Sequence, residues 1–165
     1  HCLINHYVYL AWSGGLKVGV TRHHQIPTRW IDQGATRAIK VCRTGNRYEA
    51  GRVEVELKNI LGDKTPWQAM LKGVEDDTIN LKEEKAKALE FINGKTLNYI
   101  PEVDDVYHID YPVVKYPQKV NSTNLDKESV FEGVLVGIKG QYLILDSNRV
   151  INVRNHSGYM IDFIY

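Results

Sequence analysis

The sequence is poor in the residues that cross-link a chain and in the runs that span a membrane. Two cysteines in 165 residues, Cys2 and Cys42, cannot build a disulfide framework or fill a four-thiolate metal site. One bridge between them stays open, and two free thiols in a reducing cytoplasm are the expectation. No apolar run approaches the ~20 residues of a membrane-spanning helix. No charged start followed by an apolar stretch reads as a signal peptide. Neither sign of charge dominates, since 21 Lys+Arg face 20 Asp+Glu for a net +1, so bulk basicity announces no nucleic-acid partner. Also missing are a Walker phosphate loop, a dinucleotide glycine fingerprint, HExxH, an EF-hand loop and a GxSxG elbow. What is there is globular: 43% hydrophobic and 25% charged residues exclude disorder, collagen-like sequence and a coiled coil. The length suits one compact domain, or a small domain with an appendage. The chain starts at His1, without Met and directly before a strand-like run, and a preceding segment is expected.

The near-zero charge is a cancellation. Residues 1–74 hold 11 Lys+Arg and 5 Asp+Glu, residues 75–110 hold 4 and 10, and residues 111–165 hold 6 and 5. Local potential, not total charge, steers an anionic ligand. The chain thus divides into a basic domain at 1–74, an acidic, partly helical connector at 75–110 and a small β-rich domain at 111–165.

The basic part alternates strand and helix signals. His6–Trp12 is aromatic and β-branched, Ser13-Gly14-Gly15 is a tight turn, and 16–20 returns as the second strand of a hairpin. Pro27 to Gln33 reads as a two-turn helix stopped by Gly34. A strand at 35–43 and a helix at 47–61 follow, the helix carrying an apolar stripe of Val53, Leu57, Ile60 and Leu61 and ending at Gly62. The order is β-β-α-β-α, an α+β arrangement. Helices are predicted over 66–72 and 81–92, with Glu75-Asp76-Asp77 as a solvated helix start or an acidic metal cluster. Short strands are predicted at 106–109, 130–138, 141–145, 150–153 and 159–165.

Chemistry concentrates in the first sixty residues. Arg29 projects from the short helix, and Glu54 flanks the apolar stripe of the next one, at the edge of the core. A carboxylate can hold a divalent cation that polarises a phosphate. An arginine can clamp the charge that builds there, and Tyr or Lys can orient or deprotonate a nucleophile. From spacing alone, a plain structural Arg–Glu pair is the favoured reading. His23-His24 and His156 read as polar loop positions.

In this order the elements resemble the GIY-YIG nuclease domain. Its first motif falls on Tyr7-Val8-Tyr9 and its second on Lys17-Val18-Gly19. The helical arginine matches Arg29 in Pro27-Thr-Arg-Trp30, and the metal-binding glutamate matches Glu54 in Glu49-Ala-Gly-Arg-Val-Glu54. Residues 16–22, 27–35 and 137–143 further resemble an uncharacterised prokaryotic family grouped with that superfamily, whose longer members carry a Cys-rich, zinc-binding segment upstream. The resemblance implies a three-stranded antiparallel sheet with flanking helices, and a metal-dependent phosphodiesterase acting on DNA or RNA. Tyr9, Lys17, Arg29 and Glu54 would be the catalytic residues, Glu54 holding one Mg²⁺ or Mn²⁺. Arg22, Arg37 and Lys40 would bind the nucleic acid. Three departures stand out: Tyr7 replaces the first motif's glycine, Lys17 the second motif's tyrosine, and Gln33 a histidine four residues after the arginine. Lys17 is expected to stand in for the tyrosine through a lowered pKa.

The alternative is a catalytically inactive nucleic-acid-binding module on the same fold, with Tyr142 or Tyr159 stacking on bases. A third reading is a protein-interaction domain whose acidic segment covers the basic face.

Overall fold

The chain, seen in a computed structural model, is described over residues 3–61, 67–162 and 164. Cys2, the helix stop at Gly62 and the helix start at Pro66 lie outside these residues.

Strand β1 (His6–Trp12) is buried along its whole length, because an apolar run without polar alternation needs cover on both faces. It takes the centre of an antiparallel sheet, flanked by β2 (Leu16–Arg22) and β3 (Arg37–Thr44). The hairpin register sets Tyr9 opposite Gly19 and Ala11 opposite Lys17. Helix α1 (Thr28–Asp32) covers one face, where Trp30 packs with Tyr9, Ala11 and Ala38. Helix α2 (Arg47–Leu57) covers the other through Ala50, Val53 and Leu57, against Val8, Leu10, Ile39 and Val41. Asn46 caps α2 by accepting from the Glu49 amide at 2.9 Å.

Helix α2 ends four residues before the expected Leu61. The Asn59 and Ile60 amides bond carbonyls three residues back, tightening the last turn. Leu61 stays buried from the turn that follows, whereas Ile60 faces water.

The acidic stretch does more than connect. Helix α3 (Trp67–Leu71) precedes it, and α4 (Leu81–Ile92) packs on β3 and α2 within the same core, capped by Asn80. Strands β4 (Ile100–Pro101) and β5 (Val106–His108) then pair with the outer edge of β3. The expected three-stranded sheet therefore has five strands. Glu75-Asp76-Asp77 opens no helix: Glu75 accepts from Thr36 at 2.6 Å, and the Asp76 carboxylate accepts from the Thr78 amide and hydroxyl.

The last third forms a second sheet, ordered β6 (Asn121–Thr123), β9 (Arg149–Asn152), β8 (Tyr142–Leu145), β7 (Leu135–Lys139). Strand β6 has no apolar alternation to announce it; it joins by backbone bonds, parallel to β9. Strand β7 starts at Leu135, after the exposed Val130 and Val134. The strand expected over 159–165 is absent among the described residues. Met160 and Ile164 are almost wholly exposed, and Tyr159 turns back to bond Asp126 and meet His156 edge-on.

The two sheets meet around α3 and the end of α1. Met70 and Leu71 of α3 share a core with Ile144 and Val150. Gly14, at the hairpin tip with φ +74°, lies so close to α3 that a Cβ would sit 2.3 Å from the Met70 nitrogen. The Tyr111 hydroxyl donates to the Ala35 carbonyl at 2.9 Å. Lys139, buried, lies against the rings of Tyr111 and Tyr116. These contacts carry the 3-10 turn after β9 (Val153–His156) to the side of the first sheet where α1 sits.

Candidate active site

Gly19 makes room for the first element of the site. A Cβ there would stand 2.6 Å from Cζ and the hydroxyl of Tyr9, so only glycine lets that ring lie across β2. The Tyr9 hydroxyl donates to Gln33 Oε1 at 3.0 Å and is hydrogen-bonded by Arg29. Burial holds the phenol above its ordinary pKa, against the pull of Arg29 and Gln33, and the Glu54 carboxylate pushes it the same way as burial. Lys17 stands one position along on the same face of β2. Burial, then Arg29, brings its ammonium down to about 8.

Arg29 thus lies within electrostatic reach of both Tyr9 and Lys17, and Glu54 within reach of Tyr9. Tyr9 is fully buried, and its hydroxyl is held between Gln33 and Arg29. Gln33, noted only as a departure, is the group that fixes the hydroxyl from its other side.

Glu54 is half-buried on α2 and pairs with Lys58 at 3.7 Å. Among the described residues no group of three His, Cys, Asp or Glu side chains could hold a metal ion. One carboxylate suits a hydrated Mg²⁺ or Mn²⁺ whose remaining ligands are waters and substrate phosphate, not a resident ion in a protein cage. His23, beside its exposed neighbour His24, faces the Tyr7 hydroxyl at 3.3 Å.

Of the three expected nucleic-acid contacts, Arg22 alone makes no side-chain hydrogen bond or ion pair among the described residues. Arg37 donates to the Ile79 and Asp76 carbonyls at 3.0 and 2.9 Å, pairs with Glu75 at 3.5 Å and lies over Trp12. Lys40 pairs with Glu102 at 3.5 Å and rests on Tyr7 and Tyr107. Both pin the acidic stretch to β3. A charge count along the chain could not foresee partners that arrive from 75–79 and 102. Tyr142, offered as a base-stacking residue, stacks on Trp67 instead, with ring planes 1° apart. His156 is buried, accepting from the Leu125 amide.

Beside Arg29 opens a cleft of about 420 Å³. Its walls are α1 (Thr28, Arg29, Asp32), the end of β2 (Val20 to Arg22), His6 and Gln25, Arg47 at the start of α2, and Arg154 from the turn after β9. Lys17 and Glu54 are not among the residues that line it. Sequence reasoning missed Arg47 and Arg154. Arg47 carries a signal, a cation on the first residue of a helix, where the helix field disfavours it. Arg154 carries none, because only the docking of the second sheet brings it here.

The architecture and the cleft define an α+β protein with an antiparallel main sheet and an arginine-lined site. The chain belongs to the family described as "Protein of unknown function (DUF2797)", which matches residues 1–161. No curated protein and no solved structure matches it.

Proposed function

We propose that this protein is a metal-dependent phosphodiesterase of the GIY-YIG type that cleaves nucleic acid. The observation that carries the reading is that Arg29 reaches both the buried Tyr9 and Lys17, with Glu54 in reach of Tyr9. Arg29, held by Tyr9, takes up negative charge on the phosphate as it is attacked. Lys17 has a pKa of about 8, so about a quarter of it is neutral at pH 7.5 and able to accept a proton. Water oxygen bonds to phosphorus while its proton passes to Lys17 Nζ. The bond from phosphorus to the leaving sugar oxygen breaks, and that oxygen takes a proton from solvent. A divalent ion on Glu54 would supply Lewis-acid polarisation of the phosphate.

A second reading, a non-catalytic nucleic-acid-binding module, is favoured by the Glu54–Lys58 pair, which competes for the single carboxylate. One experiment separates the two. The protein is assayed with Mn²⁺ or Mg²⁺ on branched, single-stranded and duplex DNA and RNA, beside Glu54→Ala. Cleavage lost in Glu54→Ala supports the nuclease. No cleavage of any substrate, with binding retained in Glu54→Ala, removes it in favour of the binding module.

A further inference from the structure

The arginines of this chain fall into two groups. Arg37, Arg43, Arg52 and Arg149 all sit in ion pairs with carboxylates. Arg22, Arg29, Arg47 and Arg154 sit in none among the described residues, and all four line the one cleft beside α1. A surface arginine is easily paired in a chain with 20 Asp+Glu, so the concentration of unpaired guanidinium groups leaves a strongly anion-seeking concavity. Asp32, the one carboxylate on its wall, makes no ion pair with any of them. Arg47 breaks a local rule besides, standing at the N-terminal end of α2 against the helix field. A second depression, about 740 Å³ beside the start of α4, mixes Asp77, Asp104 and Asp105 with Lys82, and its Arg37 is already committed.

We infer that Arg22, Arg47 and Arg154 form a phosphate track that leads one strand of nucleic acid to Arg29, so that the second sheet takes part in binding. This rests on the nucleic-acid reading above. Guanidinium forks suit phosphate oxygens. The arginines come from β2, α2 and the turn after β9, and so approach from different walls. A concavity of this size admits the sugar–phosphate units of a single strand, whereas a duplex would rest across its mouth.

The test is binding without cleavage. Fluorescence anisotropy in EDTA follows a labelled 12-nucleotide single strand and its duplex between about 50 and 300 mM NaCl. For four phosphate contacts the slope of log K against log[salt] is about −2.8 on a single strand. Arg47→Gln and Arg154→Gln should each flatten it by about 0.7 and weaken binding about 5- to 10-fold at 100 mM NaCl. Lys119→Gln, an exposed charge on the second sheet's approach, should leave both unchanged. Arg154→Lys, which keeps the charge and loses the fork, should retain most of the slope and guard against a folding defect. Wild-type binding with Arg47→Gln and Arg154→Gln indistinguishable from it overturns the track and leaves the nucleic-acid reading standing. Duplex bound more tightly than single strand also overturns it. Failure of the wild-type protein to bind any nucleic acid removes the reading itself, and the track with it.

Discussion

Replacing Lys17 by methionine should make the protein more stable and less able to act on a phosphate. The ammonium is largely covered where it lies on β2, and Arg29 stands beside it, which brings its pKa from 10.5 to about 8. A base with a lowered pKa is one whose charged form the fold disfavours. Below pH 8 the lysine is charged in folded and unfolded chains alike, and the folded protein carries the whole penalty. Between pH 8 and 10.5 the folded protein has released the proton and the unfolded one has not, so the penalty fades. Above 10.5 both are neutral and it is gone. The shift is worth about 3 kcal/mol at 1.36 kcal/mol per unit, and about 2 kcal/mol once water reaching the partly exposed side chain is allowed for. Methionine keeps the stem and removes the charge. Urea unfolding at pH 7 should therefore find Lys17→Met about 2 kcal/mol more stable than the wild type. Its Tm should rise by about 4–8 °C, and the difference should shrink almost to nothing by pH 10.5. A variant less stable at pH 7, or a difference that does not change with pH, would refute the reasoning.

Gly19→Ala should cost about 1–3 kcal/mol by driving a methyl into the Tyr9 ring. In a thermal-melt double-mutant cycle with Tyr9→Ala, the two losses should add to less than their sum. Arg37→Met removes two charged hydrogen bonds to carbonyls and the Glu75 pair. A loss of about 2–3 kcal/mol is expected, and hydrogen exchange should quicken first at residues 75–79. The Cys42 thiol is pushed up to about 12, chiefly by burial and then by Glu102. In a Cys2→Ser background it should resist a thiol reagent at pH 8 until the protein unfolds. Because the native thiol keeps its proton while the unfolded one loses it near pH 9, this group lowers stability as pH rises above 9, a fall that Cys42→Ala should lessen.

What the sequence disclosed was local. The hairpin follows from the aromatic and β-branched run before Ser13-Gly14-Gly15, and α4 runs from Leu81 to Ile92, the bounds expected of it. Arg29 and Glu54 could be placed on their helices by spacing, and Lys17 on its strand. The hidden parts depend on register and docking. Nothing local says that Tyr9 lies across Gly19 and loses its access to solvent. The basic run of β3 looked like a binding surface because Glu75 and Glu102 are far away in sequence. Strand β6 escaped notice because Asn121-Ser-Thr123 has neither β-branched weight nor apolar alternation, and its pairing is supplied by β9. Arg154 could not be set beside Arg29 before two sheets were known to share α3.

The pairing of β3 with β4 and β5 also bears on how the chain is made. Synthesis at roughly 5–20 residues per second leaves the outer edge of β3 without a partner for several seconds, until residues 100–108 emerge. An open edge carrying Ile39 and Val41 would be a template for a neighbouring nascent chain. Lys40 and Arg43 stand on that same strand, and charges on an edge discourage such pairing. The two residues that pin Glu102 in the finished protein thus also keep the half-built sheet solitary until its own strands arrive.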